Sequence, residues 1–326
     1  MHPAFSVIFL TTLIGVGQGL FLALYTTQLY SLFRFLPQEN LGQFYAVGSL
    51  LAVVFLIGGL FASFFHLGHP ERAWRSAAKW RTSWLSREVI VLPVTMFLIA
   101  LYGLAHYMEW TQVIFTLPGG TQIDPTLMIG FLATGATFML FVCTAMIYAS
   151  LKFLQEWSSP LTIINFILLG GASGFTFAAA LSAWMGADLS GFFAGWAIVI
   201  TVLGFIFRSL SLSRNKRLRH KSSLKTAIGV RHPQMEQKAQ GAMGGSFNTR
   251  EFFHGKTAMF LKSIKMIFLV FAFIVPAILL IMSFWSALYL IPLAAFMAQY
   301  LGLLAERWYF FAEAKHPQNL YYQSIS

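Results

Sequence analysis

The chain has 326 residues, 57% of them hydrophobic and 10% charged, with mean hydropathy +0.69 and a formal net charge of +11. Soluble domains carry about 25% charged residues, and disordered chains pair low hydrophobicity with high charge, so both classes are excluded. A lipid environment remains, and with it the question of where an oily chain keeps 22 lysines and arginines.

The first element is an apolar run from Ser6 to Phe33. It has no basic segment before it and is longer than the roughly 7 to 15 apolar residues of a signal peptide, so it is expected to be a retained span. Seven more runs approach the roughly 20 residues needed to cross a bilayer. They are Phe44 to Phe65, Glu88 to Tyr107, Thr126 to Leu151, Leu161 to Trp184, Phe192 to Phe207, Thr257 to Ile281 and Ala287 to Phe310. The runs are too long for strands and lack two-residue alternation, so the expected fold is all-α with eight transmembrane helices.

Local chemistry marks the ends. Pro125 and Pro160 suit a first helical turn, Ser86 is expected to cap the third span, and Pro276 and Pro292 are expected to kink spans seven and eight. Gly15 with Gly19, and Gly170 with Gly174, are small-residue pairs four apart, suited to close helix contact. Lying about half a chain apart, they hint at two four-helix halves. Between spans two and three, the segment 66–87 is expected to form a cytoplasmic interfacial loop with a short amphipathic helix starting at Pro70. Ala73, Trp74, Ala77 and Ala78 would share one face, with Trp80 and Trp84 at headgroup level.

Charge placement predicts orientation. With eight spans, all the lysines and arginines except Arg34 fall on the side of the N-terminus, while Glu39, Glu109, Asp124 and Asp188 fall opposite. The positive-inside rule then makes both termini cytoplasmic, in a bacterial cytoplasmic membrane. The long loop 208–256 holds the run RSLSLSRNKRLRHKSSLKTAIGVRH. Its place directly after a span favours lipid headgroups and orientation over nucleic acid, and it lacks the aromatics that stack on single strands. Its Gly-rich tail, QGAMGGSFNTREFFHGK, is expected to be mobile.

For function, the spans carry no ionisable residue near their middles, which argues against a proton-coupled transporter or ion channel. Gln18, Asn165 and Ser173 are expected to bond helix to helix. Cys143 is the single cysteine, so no thiolate zinc or iron–sulfur site is expected. Haem is not expected, since no two of the eight histidines sit on facing helices at one depth. His66 closes span two and Glu88 opens span three at the same boundary. An imidazole and a carboxylate there can hydrogen-bond a quinone carbonyl and exchange its protons. The competing readings are structural: Glu88 as a first-turn dipole partner and His66 as a helix cap.

The opening HPAFSVIFLTTLIGVGQGLF, then ASFFHLGHPERAWRS and SWLSREV, resembles the membrane-anchor subunits of dimethyl-sulfoxide-reductase-type molybdoenzymes. The motifs cover the first three spans; beyond them the resemblance rests on length and the eight-span pattern. It implies that this chain carries no redox metal and that the molybdenum cofactor and iron–sulfur clusters belong to a catalytic and an iron–sulfur partner subunit. It also implies a site for quinone, ubiquinone or menaquinone, at His66 and Glu88, with Arg87, Arg72 and Arg75 beside the quinone pocket or the partner. In the bacterial dimethyl sulfoxide reductase the catalytic module faces the periplasm. The cytoplasmic placement of the 66–87 segment instead resembles the sulfite:quinone oxidoreductase anchors, whose partners lie on the cytoplasmic side. The leading expectation is electron transfer from sulfite oxidation to quinone. The alternatives are quinol oxidation for a sulfoxide or other sulfur-compound reductase, a purely structural anchor and, more remotely, a transporter.

Overall fold

The computed structural model describes residues 1–36, 41–116, 122–219, 223–230, 232, 234–235, 252–286, 288–317 and 319. Each of the eight apolar runs forms helix: α1 (Phe5–Leu32), α2 (Gly42–Phe64), α3 (Trp84–Tyr107), α4 (Pro125–Ala149), α5 (Pro160–Met185) and α6 (Ser190–Lys216), followed after the short α7 (Leu224–Ile228) by a broken helix and a last one. The broken helix is α8 (Ala258–Leu269), a π-helical turn Val270–Ile274 and α9 (Val275–Ser283); the last is α10 (Leu290–Glu313). Seven are long and apolar enough to cross a membrane, counting Ala258–Ser283 as one. The eighth, α10, spans 24 residues but carries Glu306, Arg307 and Glu313 in its last third. Among the described residues the strand content is one two-residue ladder, Phe115 and Thr116 against Ile123 and Gln122, in the α3–α4 connection.

Helix starts follow side-chain chemistry. Pro125 and Pro160 occupy first turns, and Asp124 and Ser159 accept the exposed amides of Leu127 and Leu161. The cap of α3 is Ser83, three residues before the expected Ser86, whose own amide donates to the Ser83 hydroxyl. The turn before Pro276 is the π-helical one, because proline offers no amide to the preceding ladder. Pro292 falls in the first turn of α10, where no bond is lost and no kink is required. Pro93 lies inside α3, an interior proline that was not among the expected helix breakers.

Two groups of helices meet at the glycines. α1 packs on α2 and α4, with α3 between those two, while α5 packs on α6 and α10, with α9 between those. α1 and α5 cross where Gly15 and Gly19 face Gly170 and Gly174. A Cβ on Gly19 would overlap the Gly170 carbonyl oxygen, and one on Gly174 would overlap the Gly19–Leu20 backbone. The small-residue pairs are thus one contact, made from both sides.

α6 extends nine residues past the expected end at Phe207, so the start of the basic loop is helix. Residues 236–251, including most of the Gly-rich tail, lie outside the described residues, as does Glu39. The amino group of Met1 donates to the Ala314 carbonyl at 2.8 Å. The start of the chain and the end of α10 therefore share one end of the bundle with the α2–α3 connection.

Candidate functional site at the α2–α3 end

The connection between α2 and α3 is a 3-10 helix, Pro70–Lys79, with no buried residue. In a 3-10 helix side chains repeat every three residues, which sets Ala73 in line with Ser76; these two and Ala77 are half-buried while Trp74 and Ala78 are exposed, so the four residues expected to share one α-helical face do not. Aromatic and basic groups alternate around it: Arg75 lies over Trp74, Arg81 over Trp80 and Arg87 over Trp84, the last at 4.1 Å. Arg87 also donates to the carbonyls of Trp80 and Arg81, at 2.9 and 2.8 Å. Its guanidinium is thereby committed to folding the turn onto the start of α3. Arg72 pairs at 3.6 Å with Glu71, both exposed.

His66 lies two residues beyond the end of α2 and is exposed. Its ring makes no hydrogen bond among the described residues, so it caps nothing. Neighbouring protein lowers its pKa below the ordinary histidine value by desolvation. At neutral pH the ring is therefore uncharged, with one nitrogen to donate and one to accept.

Glu88 stands four residues into α3, past the first turn, so the dipole reading does not describe it. It is 6% exposed. Its Oε1 accepts from the Thr144 hydroxyl of α4 at 2.5 Å, and its Oε2 makes no hydrogen bond among the described residues. Around it, Cys143 and Tyr148 of α4 and Arg87 of its own helix interact with it or its neighbours electrostatically. His66 and Glu88 share one end of adjacent helices, but no hydrogen bond or ion pair joins them.

Residues 1–311 match the family described as the DMSO reductase anchor subunit (DmsC). The chain belongs to that family. It is also 59% identical, over 326 residues and the whole of both chains, to a sulfite dehydrogenase subunit of Allochromatium vinosum. Multi-pass membrane insertion follows from the anchor family and the apolar helices together.

Within this DmsC-family chain, Glu88 and His66 set hydrogen-bonding groups at one end of α3 and α2. A buried carboxyl with a free oxygen and a neutral imidazole supply the donors and acceptors that two carbonyls need. The exposed Phe61, Phe64 and Phe65 give an apolar approach from lipid. By contrast, no group of three His, Cys, Asp or Glu gathers among the described residues.

A buried ionic cluster was missed by reading the sequence. Arg208 of α6 bonds Glu306 of α10 at 2.7 Å and approaches Glu313 at 3.9 Å, and Arg307 bonds Glu306 at 3.2 Å and covers the Phe166 ring at 3.7 Å. Arg208, Glu306 and Arg307 are at most 5% exposed. Counting charges put Arg208 at the start of the long loop and Arg307 near the end of the last span, whereas each sits about two turns inside its helix. Arginines in helix ends facing a carboxylate on the next helix were the available signal. At the opposite end of the bundle His106 is buried between Tyr45 and Tyr102, ring centroids 4.5 and 4.6 Å away, as a core histidine.

Proposed function

We propose that this chain is the quinone-reactive membrane anchor of a cytoplasm-facing molybdoenzyme complex. It passes electrons from an iron–sulfur subunit to quinone while a molybdenum-bearing catalytic subunit oxidises sulfite. The observation that carries the reading is Glu88: a carboxyl buried next to the membrane boundary, one oxygen held by Thr144 and the other free, at the same bundle end as the exposed His66 imidazole. The name of the Allochromatium vinosum relative supports sulfite as the electron source. The family description supports the reverse direction, quinol oxidation for a sulfoxide-type reductase, as the second reading.

In this mechanism quinone enters from lipid past the phenylalanines at the end of α2. His66 donates to one carbonyl and Glu88 to the other. Each gives a proton as electrons arrive from the iron–sulfur subunit. The exposed arginines and tryptophans of the 3-10 segment, Arg72 and Arg75 among them, offer that subunit an amphipathic landing site. Eight crossings with both termini in the cytoplasm would put the whole assembly inside the cell. Glu88→Gln keeps size and hydrogen bonding but removes the transferable proton. It is expected to slow sulfite-dependent quinone reduction about 100-fold, the low end for general acid catalysis, with the complex still assembled. Full turnover in that variant would refute the site.

A further inference from the structure

Many threonines of the bundle share one habit. Thr11, Thr12, Thr27, Thr95, Thr137 and Thr176 each donate their hydroxyl to the carbonyl four residues back on their own helix. Thr144, buried five residues before the end of α4, departs from it and donates across to Glu88. Its other neighbourhood is a cavity of about 20 Å³ between α1, α4, α5 and α10, lined by Thr11, Thr12, Gln18, Thr144, Ser173 and Arg307 among others. That is room for one water molecule. The hydroxyls of Thr11, Thr12 and Ser173 spend their protons on backbone carbonyls, leaving oxygen lone pairs as acceptors, and Arg307 brings donors. A water needs two to four such partners.

Resting on the quinone reading above, we propose that Thr144 is a positioning residue that holds the Glu88 carboxyl and joins it to a water molecule in this cavity. Glu88 is then reloaded with protons from inside the bundle, separately from His66 at the surface. For each quinone reduced, two electrons come from the iron–sulfur subunit and two protons are consumed. His66 passes one from bulk water. Glu88 gives the other, its O–H bond breaking as one forms to the quinone oxygen. The Glu88 carboxylate next takes the Thr144 hydroxyl proton while the Thr144 oxygen takes one from the cavity water. A proton from the aqueous side near the start of α1 restores that water, and no electron passes through Thr144. The charged and titratable groups facing this path are Arg87 on α3, Cys143 and Tyr148 on α4, Arg307 with its partner Glu306 and Tyr300 on α10, and the Met1 amino group before α1.

The test uses the assembled complex, sulfite as donor and decylubiquinone as the quinone probe, with turnover followed from mildly acidic to alkaline pH. Thr144→Val, which keeps shape and loses the hydroxyl, is expected to lower turnover about ten-fold, the worth of one hydrogen bond to a charged group. The loss should deepen as pH rises, because direct protonation must then replace the relay. Thr144→Ser should restore most of the rate and the original profile. Thr134→Val, on the same helix but bonded to its own backbone, should behave as wild type. If Thr144→Val is indistinguishable from wild type while Glu88→Gln is slow, the relay is wrong and the quinone site stands. If Glu88→Gln is also unimpaired, both fall. A Thr144→Val loss that is parallel at every pH and not restored by serine reduces Thr144 to packing and overturns the relay.

Discussion

Glu88 and Arg208 are both ionisable, both buried and both within helices, yet their surroundings assign them different work. Arg208 is ion-paired with carboxylates from the neighbouring helix, an arrangement that joins α6 to α10. Removing one partner of such a buried pair leaves the other uncompensated. Arg208→Ala is therefore expected to cost about 3–5 kcal/mol, read as an early unfolding transition in detergent. Replacing Arg208 and Glu306 together by Met and Leu should cost much less, because both charges leave at once. Glu88 has no cationic partner bonded to it among the described residues, only a hydroxyl, which suits the proton exchange proposed for it. Reading the sequence finds Glu88 because it borders a loop rich in chemistry. It passes over Arg208 and Glu306 because, taken one helix at a time, each is only a charge close to a helix end.

Among the elements, the α1–α5 crossing has the least tolerance. Gly174→Val would force the Gly19 backbone away and is expected to abolish accumulation of the protein in the membrane, measured by blotting, whereas Gly135→Ala, facing open space, should leave it unchanged. The pairing of glycines four apart was readable in the sequence; that the two pairs meet each other was not, since spacing on one helix carries no information about its partner. The 3-10 segment shows the converse. Its start at Pro70 was legible from proline chemistry, but its period was not: at 3 rather than 3.6 residues per turn, Ala73, Trp74, Ala77 and Ala78 no longer fall on one stripe. Ser83→Ala is expected to weaken the start of α3 by about 1 kcal/mol and, through it, the placement of Glu88. The check is a raised KM for quinone with the complex still formed.

For the molecule as a whole, the bond from Met1 to Ala314 sets the start of the chain beside the end of α10, as the proposed even number of crossings would require. Under the proposed topology, a fluorescent protein fused after Ser326 should fluoresce, and alkaline phosphatase inserted after Asp188 should be active; the reverse pair would invert it. The ionic cluster qualifies the case against a transporter. Arg208, Glu306 and Arg307 do lie inside helices, but they are paired with one another about two turns from the helix ends, and membership of the anchor family accounts for the architecture without a transport path.

Sequence alone determined the class of environment, the all-helical architecture, the positions of eight apolar runs and the pairing of His66 with Glu88 as a candidate site. These depend on local composition, on helix period and on motifs contiguous in the chain. Only the tertiary structure decided that Thr144 serves Glu88, that the glycine pairs form one contact, that Arg87 is engaged by its own turn, and that Arg208, Glu306 and Arg307 are buried together. Nearly all of these are relations between side chains far apart in the chain, and distance along a sequence does not encode which faces of two helices will meet.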